Sequence, residues 1–232
     1  MARRVLALDI ETLPNESLFP LVEEIRSLPA GSASGDPAMM KQMALDPLYG
    51  RIALVGMIAA GASGVEDISS DVLRKMDDGE EARIVSRYAD ALGSTDMVVT
   101  YNGMRFDIPY LEVRARVLGV KLPRHVSTYP WGEGIERGHV DIFSMLTHQG
   151  ELAGKGPPHD LGSVARLLGI PDTGPDMDGS RVYPTWKAGE LAKLREYCLN
   201  DVLLTAEMFD RLYSVELGGP VFAGVRELVP RG

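Results

Sequence analysis

The 232-residue chain predicts an α/β fold, a mixed β-sheet flanked by helices. Three observations predict it. Short continuous apolar runs, expected of strands buried on both faces, recur at Val5–Leu8, Arg51–Ala60 and Met97–Tyr101. Segments of helical period follow them, at Glu80–Leu92, Ile108–Leu118 and Ala188–Tyr213. Three consecutive strands suggest an antiparallel meander, and the helix-linked fourth suggests parallel pairing through a crossover.

Taken in order, Val5-Leu-Ala-Leu8 runs into Asp9-Ile-Glu-Thr-Leu-Pro14, where acids and a proline stop it. From Pro14 to Gly50 the pattern weakens. Pro29–Pro37 has the composition of a linker, and a short helix is expected near Ala38–Leu45. After the second strand, Gly61-Ala-Ser-Gly64 is a turn into a weaker third strand near Val65–Ile68. The helix Glu80–Leu92 carries Ile84, Val85, Tyr88 and Leu92 at helical spacing and stops at Gly93. The fourth strand ends at Asn102-Gly103, and the helix Ile108–Leu118 closes at Gly119. Residues 120–158 read as irregular apart from a short strand at Val140–Ile142. A short helix at Asp160–Leu168, a Pro171–Pro184 loop and the long Ala188–Tyr213 helix complete the chain. With no internal repeat, this predicts one domain over residues 1–227, with residues 15–50 as an insertion or lid. Leu228-Val-Pro-Arg-Gly232 reads as a protease-cleavage linker left by cloning.

Composition bounds the function. Hydrophobic residues at 45% and charged ones at 25% exclude global disorder. A single cysteine, Cys198, excludes an intramolecular disulfide framework and a cysteine-rich zinc site. No stretch approaches the roughly 18 apolar residues of a membrane span, and the charge at Asp9 comes too early for a secretory segment. The reading is a cytoplasmic protein with no membrane partner. A net charge of −9 argues against a protein that coats nucleic acid, because phosphate affinity comes from Lys and Arg. It does not argue against an enzyme that handles one strand end through metal ions.

Four acids stand out. Asp9 and Glu11 lie two apart, so on a strand both face the same side, at the carboxyl end where open α/β sheets place their crevices. A solvated strand end reads the same way. Asp107 follows the fourth strand and precedes Pro109, which suits a helix N-cap as well as a ligand in the same crevice. On the last helix the apolar stripe Leu191, Leu194, Cys198, Val202, Thr205, Phe209, Leu212 brings Asp201 to its inward border. Tyr197 lies one turn before Asp201 on the same side. An inward carboxylate is costly unless paired or bound to metal, although a distant backbone donor would also satisfy it. Together Asp9, Glu11, Asp107 and Asp201 form an oxygen-only set suited to Mg²⁺ or Mn²⁺. Two such ions, roughly 3.5–4 Å apart, can bracket an in-line displacement at phosphorus.

Asp9-Ile-Glu11, Asn102-x-x-x-Phe106-Asp107 and Tyr197-x-x-x-Asp201 resemble the three motifs of the DEDD superfamily of 3′–5′ exonucleases in its tyrosine variant. The nearest resemblance is to the exonucleases related to the proofreading domain of family B DNA polymerases. It spans residue 5 to about 213, with all three motifs in order. The histidine variant would need His where Glu196 stands. The resemblance implies a ribonuclease H-like fold, two divalent ions and the 3′ end of single-stranded nucleic acid as substrate, DNA favoured and RNA allowed. By that resemblance Asp9, Glu11 and Asp201 would hold the nucleophile-side ion, and Asp9 with Asp107 the other. Tyr197 would orient the attacking water, and Thr12, Leu13, Asn102 and Phe106 would contact the substrate. A catalytically silent nucleic-acid-binding module, an exoribonuclease and a hydrolase of short oligonucleotides are the alternatives.

Asp141 is a further candidate at the cleft rim. The histidines His125, His139, His148 and His159 are too scattered to propose a zinc site. A basic cleft wall is expected from Arg105, Arg114, Arg116, Lys121, Arg124 and Arg137. A polymerase or repair partner would be a separate chain.

Overall fold

The structure, a computed structural model, describes residues 3–123, 138–148, 150–152 and 159–229. β1 (Val5–Pro14), β2 (Gly50–Gly61) and β3 (Gly64–Val72) form the antiparallel meander. β4 (Met97–Thr100) pairs in parallel with β1, and β5 (His139–Asp141) in parallel with β4. The sheet order is β3-β2-β1-β4-β5. The mixed sheet is the one the sequence predicts. β3 is longer than expected because it is an edge strand whose polar Asp67, Ser69, Ser70 and Asp71 carry little apolar signal.

The helices are α1 (Phe19–Ile25), α2 (Pro37–Ala44), α3 (Asp78–Gly93), α4 (Asp107–Leu118), α5 (Ile142–Leu146), α6 (Leu161–Leu167), α7 (Val182–Lys187), α8 (Leu191–Leu217) and α9 (Val225–Leu228). α1 and α7 replace expected irregular chain. Each is only two turns or less and carries a proline near its start or middle, so no periodic stripe announces it. Alternation along β1 sends Leu6, Leu8 and Ile10 into a core with Ile84, Val85 and Tyr88 of α3 and Leu111 of α4. Val5 and Ala7 face the other way, into a core with Val202, Ala206 and Phe209 of α8. None of the helices among the described residues is long and apolar enough to cross a membrane.

Residues 15–50 form a packed subunit on this frame. Val22, Ala33, Met39 and Met43 make its own small core. The Tyr110 hydroxyl of α4 donates to the Ala44 carbonyl at 3.0 Å, and Arg114 donates to the Pro47 carbonyl at 3.1 Å. Arg114 therefore corrects its expected place on a basic cleft wall. It is buried, and two of its nitrogens bond Glu81 at 2.7 Å, with Arg51 at 3.0 Å and the Ile52 N–H at 3.0 Å on the same carboxylate. A buried carboxylate is tolerated only when its lone pairs are filled in this way. Arg116 pairs with Glu112 on the surface of α4, and Arg124 and Arg137 lie outside the described residues. At the far end Arg226 pairs with Glu207, Leu228 closes α9, and Val229 packs against the α8-side core. The first residues of the expected linker thus belong to the folded unit; Pro230–Gly232 lie outside the described residues.

Candidate active site

β1 and β4 pair only through Val5–Ala7, after which β4 ends at Thr100. Beyond that point the edge of β1 facing β4 loses its strand partner, and a buried N–H there needs an acceptor. Asp107 supplies it: its Oδ1 accepts the Ile10 N–H at 3.0 Å. This departs from the N-cap expectation. Phe106 is the N-cap residue and makes no side-chain cap bond, while Asp107 is the buried first residue of α4. The carboxylate crosses to β1 because that strand's unpaired N–H is the stronger demand.

On the other side, α8 lies close to the sheet at Gly56, which pairs in register with Asp9. A Cβ at Gly56 would meet Cys198 Sγ at 2.8 Å and Val202 Cγ2 at 3.0 Å. Only glycine lets the helix approach this closely. The approach brings Cys198 Sγ within 3.6 Å of Asp9 Oδ2, and the Tyr197 hydroxyl into a hydrogen bond on the Asp201 carboxylate. The Asn200 amide also bonds Asp201 and donates to Asp172 at 2.9 Å. One further irregularity shapes the strand: the β1–β2 register shifts between Glu11 and Thr12, and such bulges re-aim side chains.

The electrostatics follow from this crowding. Burial pushes the Asp9 carboxyl well above its ordinary range, and the charges of Asp107, Glu11 and Asp201 push it further. Glu11 is raised by burial, then by Asp201 and Asp107. Burial lifts Asp107 to about 7 against the opposing Ile10 hydrogen bond. Asp201 is lifted to about 7 by burial and then by Asp172, against the bonds from Tyr197 and Asn200. Burial also raises the Tyr197 phenol and the Cys198 thiol, so both stay protonated at neutral pH. Ligand atoms of Asp9, Glu11 and Cys198 lie within 4.8 Å of one another. Buried, mutually repelling oxygens of this kind fit a hard divalent cation, whose charge removes the repulsion.

A cavity of about 760 Å³ opens beside the acids. Glu11, Thr12 and Phe106 form one part of its lining, and α2, the stretch Asp178–Ser180 and the start of α7 contribute others. Thr12 bonds the Tyr110 hydroxyl. Leu13, expected to touch substrate, is fully buried in the core, because it follows the inward alternation of β1 after the bulge. Its side chain is unavailable to a ligand. Asn102 is half-buried with φ of 65° and is not part of the cavity lining. Asp141 accepts from the N–H groups of Asn102 at 2.9 Å, Met104 at 2.8 Å and Ser144 at 3.1 Å. It shapes the 102–106 turn and caps α5. His139 is buried against the Thr100 hydroxyl at 2.9 Å and is pushed down to about 4 by burial; His125 lies outside the described residues. Sequence reasoning missed Gly56, Cys198 and Tyr183 as parts of this region. Only Cys198 carried a signal, three residues before Asp201 on the inward stripe.

The family model for predicted 3′–5′ exonucleases related to the exonuclease domain of PolB matches residues 48–217. Asp9 and Glu11 precede the matched stretch. DNA polymerase 1 of Pyrococcus abyssi is 26% identical over 132 residues, which is 52% of this chain and 16% of that protein. DNA polymerase 2 of Aeropyrum pernix is 28% identical over 182 residues, 72% of this chain and 21% of that one. The chain thus spans about a fifth of the length of these polymerases. In fold it resembles the family B DNA polymerase of Pyrobaculum calidifontis, with a TM-score of 0.61 and 23% identity, covering 95% of this chain and 26% of that one. With its sheet and helices of the ribonuclease H-like kind, the chain belongs to the family of predicted 3′–5′ exonucleases related to the exonuclease domain of PolB.

Proposed function

We propose that this protein is a metal-dependent 3′–5′ exonuclease that releases nucleotides from the 3′ end of single-stranded nucleic acid, DNA in preference to RNA. The observation that carries the reading is the grouping of Asp9 and Glu11, with ligand atoms within 4.8 Å of each other and under the charges of Asp107 and Asp201, where Glu11 borders a cavity of about 760 Å³. Asp9, Glu11 and Asp201 would hold one Mg²⁺ or Mn²⁺, and Asp9 with Asp107 a second. Ions bound there supply Lewis acidity to the attacking water and to the departing 3′ oxygen.

The chain's own residues do the rest. Tyr197 commits its one proton to Asp201, so its oxygen is left as an acceptor that can orient a water O–H. Phe106 and Thr12 border the cleft where the terminal base and sugar would lie. Asp141 acts at one remove, by setting the turn that carries Asn102 and Phe106. The DNA preference rests on the polymerase relatives. A duplex end would have to fray first, at a cost of a few kcal/mol, so it should be cut more slowly.

The test is a time course on 5′-labelled single-stranded DNA and RNA with Mg²⁺, Mn²⁺ or EDTA. A ladder that shortens one nucleotide at a time, abolished by EDTA, is the expected result. Cleavage of a circular single strand would overturn it.

A further inference from the structure

The cleft has a second wall that the residues of the three acidic motifs do not supply. Helix α2 lies before the stretch matched by the family model, yet Met40, Lys41, Ala44 and Leu45 line the cavity that Glu11 and Phe106 open. Tyr183 and Pro184 of α7 also line it. This wall is seated. Asp36 caps α2 through the Ala38 and Met39 N–H groups, Met39 and Met43 are buried beneath it, and Tyr110 bonds the Ala44 carbonyl. Leu45 is nevertheless 52% exposed, an apolar surface held open next to an acidic cluster.

The cavity lining carries both signs of charge, with Lys41 as its cation and Glu11 and Asp178 as its acids. Lys41 is exposed at the edge of the cavity, and the exposed Asp178 is also part of the lining. The acids at the inner end would repel a phosphodiester until ions are bound, whereas Lys41 attracts one without them. An apolar face with a cation on its rim matches a nucleotide, a flat base joined to an anionic phosphate. A cavity of this size falls within the range of about 300–1,000 Å³ that encloses small ligands, enough for about one or two nucleotides.

Resting on the nuclease reading above, we propose that α2 is a substrate clamp: Met40 and Leu45 pack against an unpaired base near the 3′ end, and Lys41 binds a phosphate of the same strand. Residues 15–50 are then part of the substrate site rather than a surface excursion.

Two measurements test this together. Lys41→Met keeps the helix and removes only the charge. On single-stranded DNA with Mn²⁺ its loss should fall on KM, about fivefold, rather than on kcat. By fluorescence anisotropy in EDTA, the slope of log affinity against log salt should shrink by about 0.7, the value of one phosphate contact on a single strand. Leu45→Asp, at an exposed position that need not disturb folding, should raise KM further. Wild-type hydrolysis with KM and salt slope unchanged in both variants would overturn the clamp and leave the nuclease reading standing. A folded wild-type protein that neither binds nor cuts single-stranded DNA or RNA would overturn both.

Discussion

The backbone N–H of Ile10 donates to the carboxylate of Asp107 at 3.0 Å, across 97 residues of chain. That bond ties the start of α4 to the strand that carries Asp9 and Glu11. It exists because β4 stops at Thr100 and leaves β1 with an N–H that has no strand partner. A fold defect, a strand cut short, is thereby filled by an acid of the candidate site.

Asp107 should separate structural from catalytic roles by substitution. Asp107→Asn keeps an oxygen acceptor for Ile10 and should stay folded while losing more than about a hundredfold in activity. Asp107→Leu leaves the Ile10 N–H buried and unpaired, which costs about 1–3 kcal/mol. Thermal melts of the two proteins should rank Asn above Leu. An equally stable Leu variant would remove the hydrogen bond from the stability argument.

Asp201→Asn should be inactive and, without metal, at least as stable as the wild type near neutral pH. One of several repelling carboxylates is gone, and the Tyr197 and Asn200 contacts can still be satisfied. A strongly destabilised variant that keeps its activity per folded molecule would assign Asp201 to structure alone.

Tyr197→Phe removes a hydroxyl proposed to orient water. The loss should be about ten- to a hundredfold in kcat with KM nearly constant. An unchanged kcat would reduce Tyr197 to packing on α8.

Stability of the metal-free protein should fall as pH rises. Asp107 and Asp201 sit near 7 in the folded chain, above the ordinary carboxylate range of about 4, so the folded state holds protons that the unfolded state releases. Their contribution is present in full below about pH 4 and is lost as pH climbs through about 7. Differential scanning fluorimetry from pH 5 to 8 should show a declining midpoint in EDTA and a flattened one with Mn²⁺. A midpoint that climbs over this range in EDTA would contradict the repulsion.

Gly56→Ala places a methyl 2.8 Å from Cys198 Sγ. Overpacking of this kind costs about 1–3 kcal/mol, and pushing α8 outward should also lower activity. Calorimetry and a parallel rate measurement would check both; normal stability would mean that α8 can shift freely.

How much of this was legible differs by element. The strand Val5–Leu8, the spacing of Asp9 and Glu11, and the Tyr197–Asp201 turn are local patterns, and local patterns survive in a linear reading. The partners of Asp107 and Arg114 are not local. Each is set by where another strand ends or by a carboxylate 33 residues away. Gly56 looks like any glycine in an apolar strand until α8 is laid over it. α1 and α7 are too short for periodicity to register, and Leu13 was displaced from the expected substrate surface by a bulge the sequence does not mark.

The most direct measurement is a Mn²⁺ titration followed by electron paramagnetic resonance on the wild type, Asp9→Asn and Asp201→Asn. Four carboxylates that hold two ions should bind two Mn²⁺ per wild-type chain, and each variant should lose at least one. No bound Mn²⁺ at millimolar concentration, or identical binding in all three proteins, would contradict the metal centre.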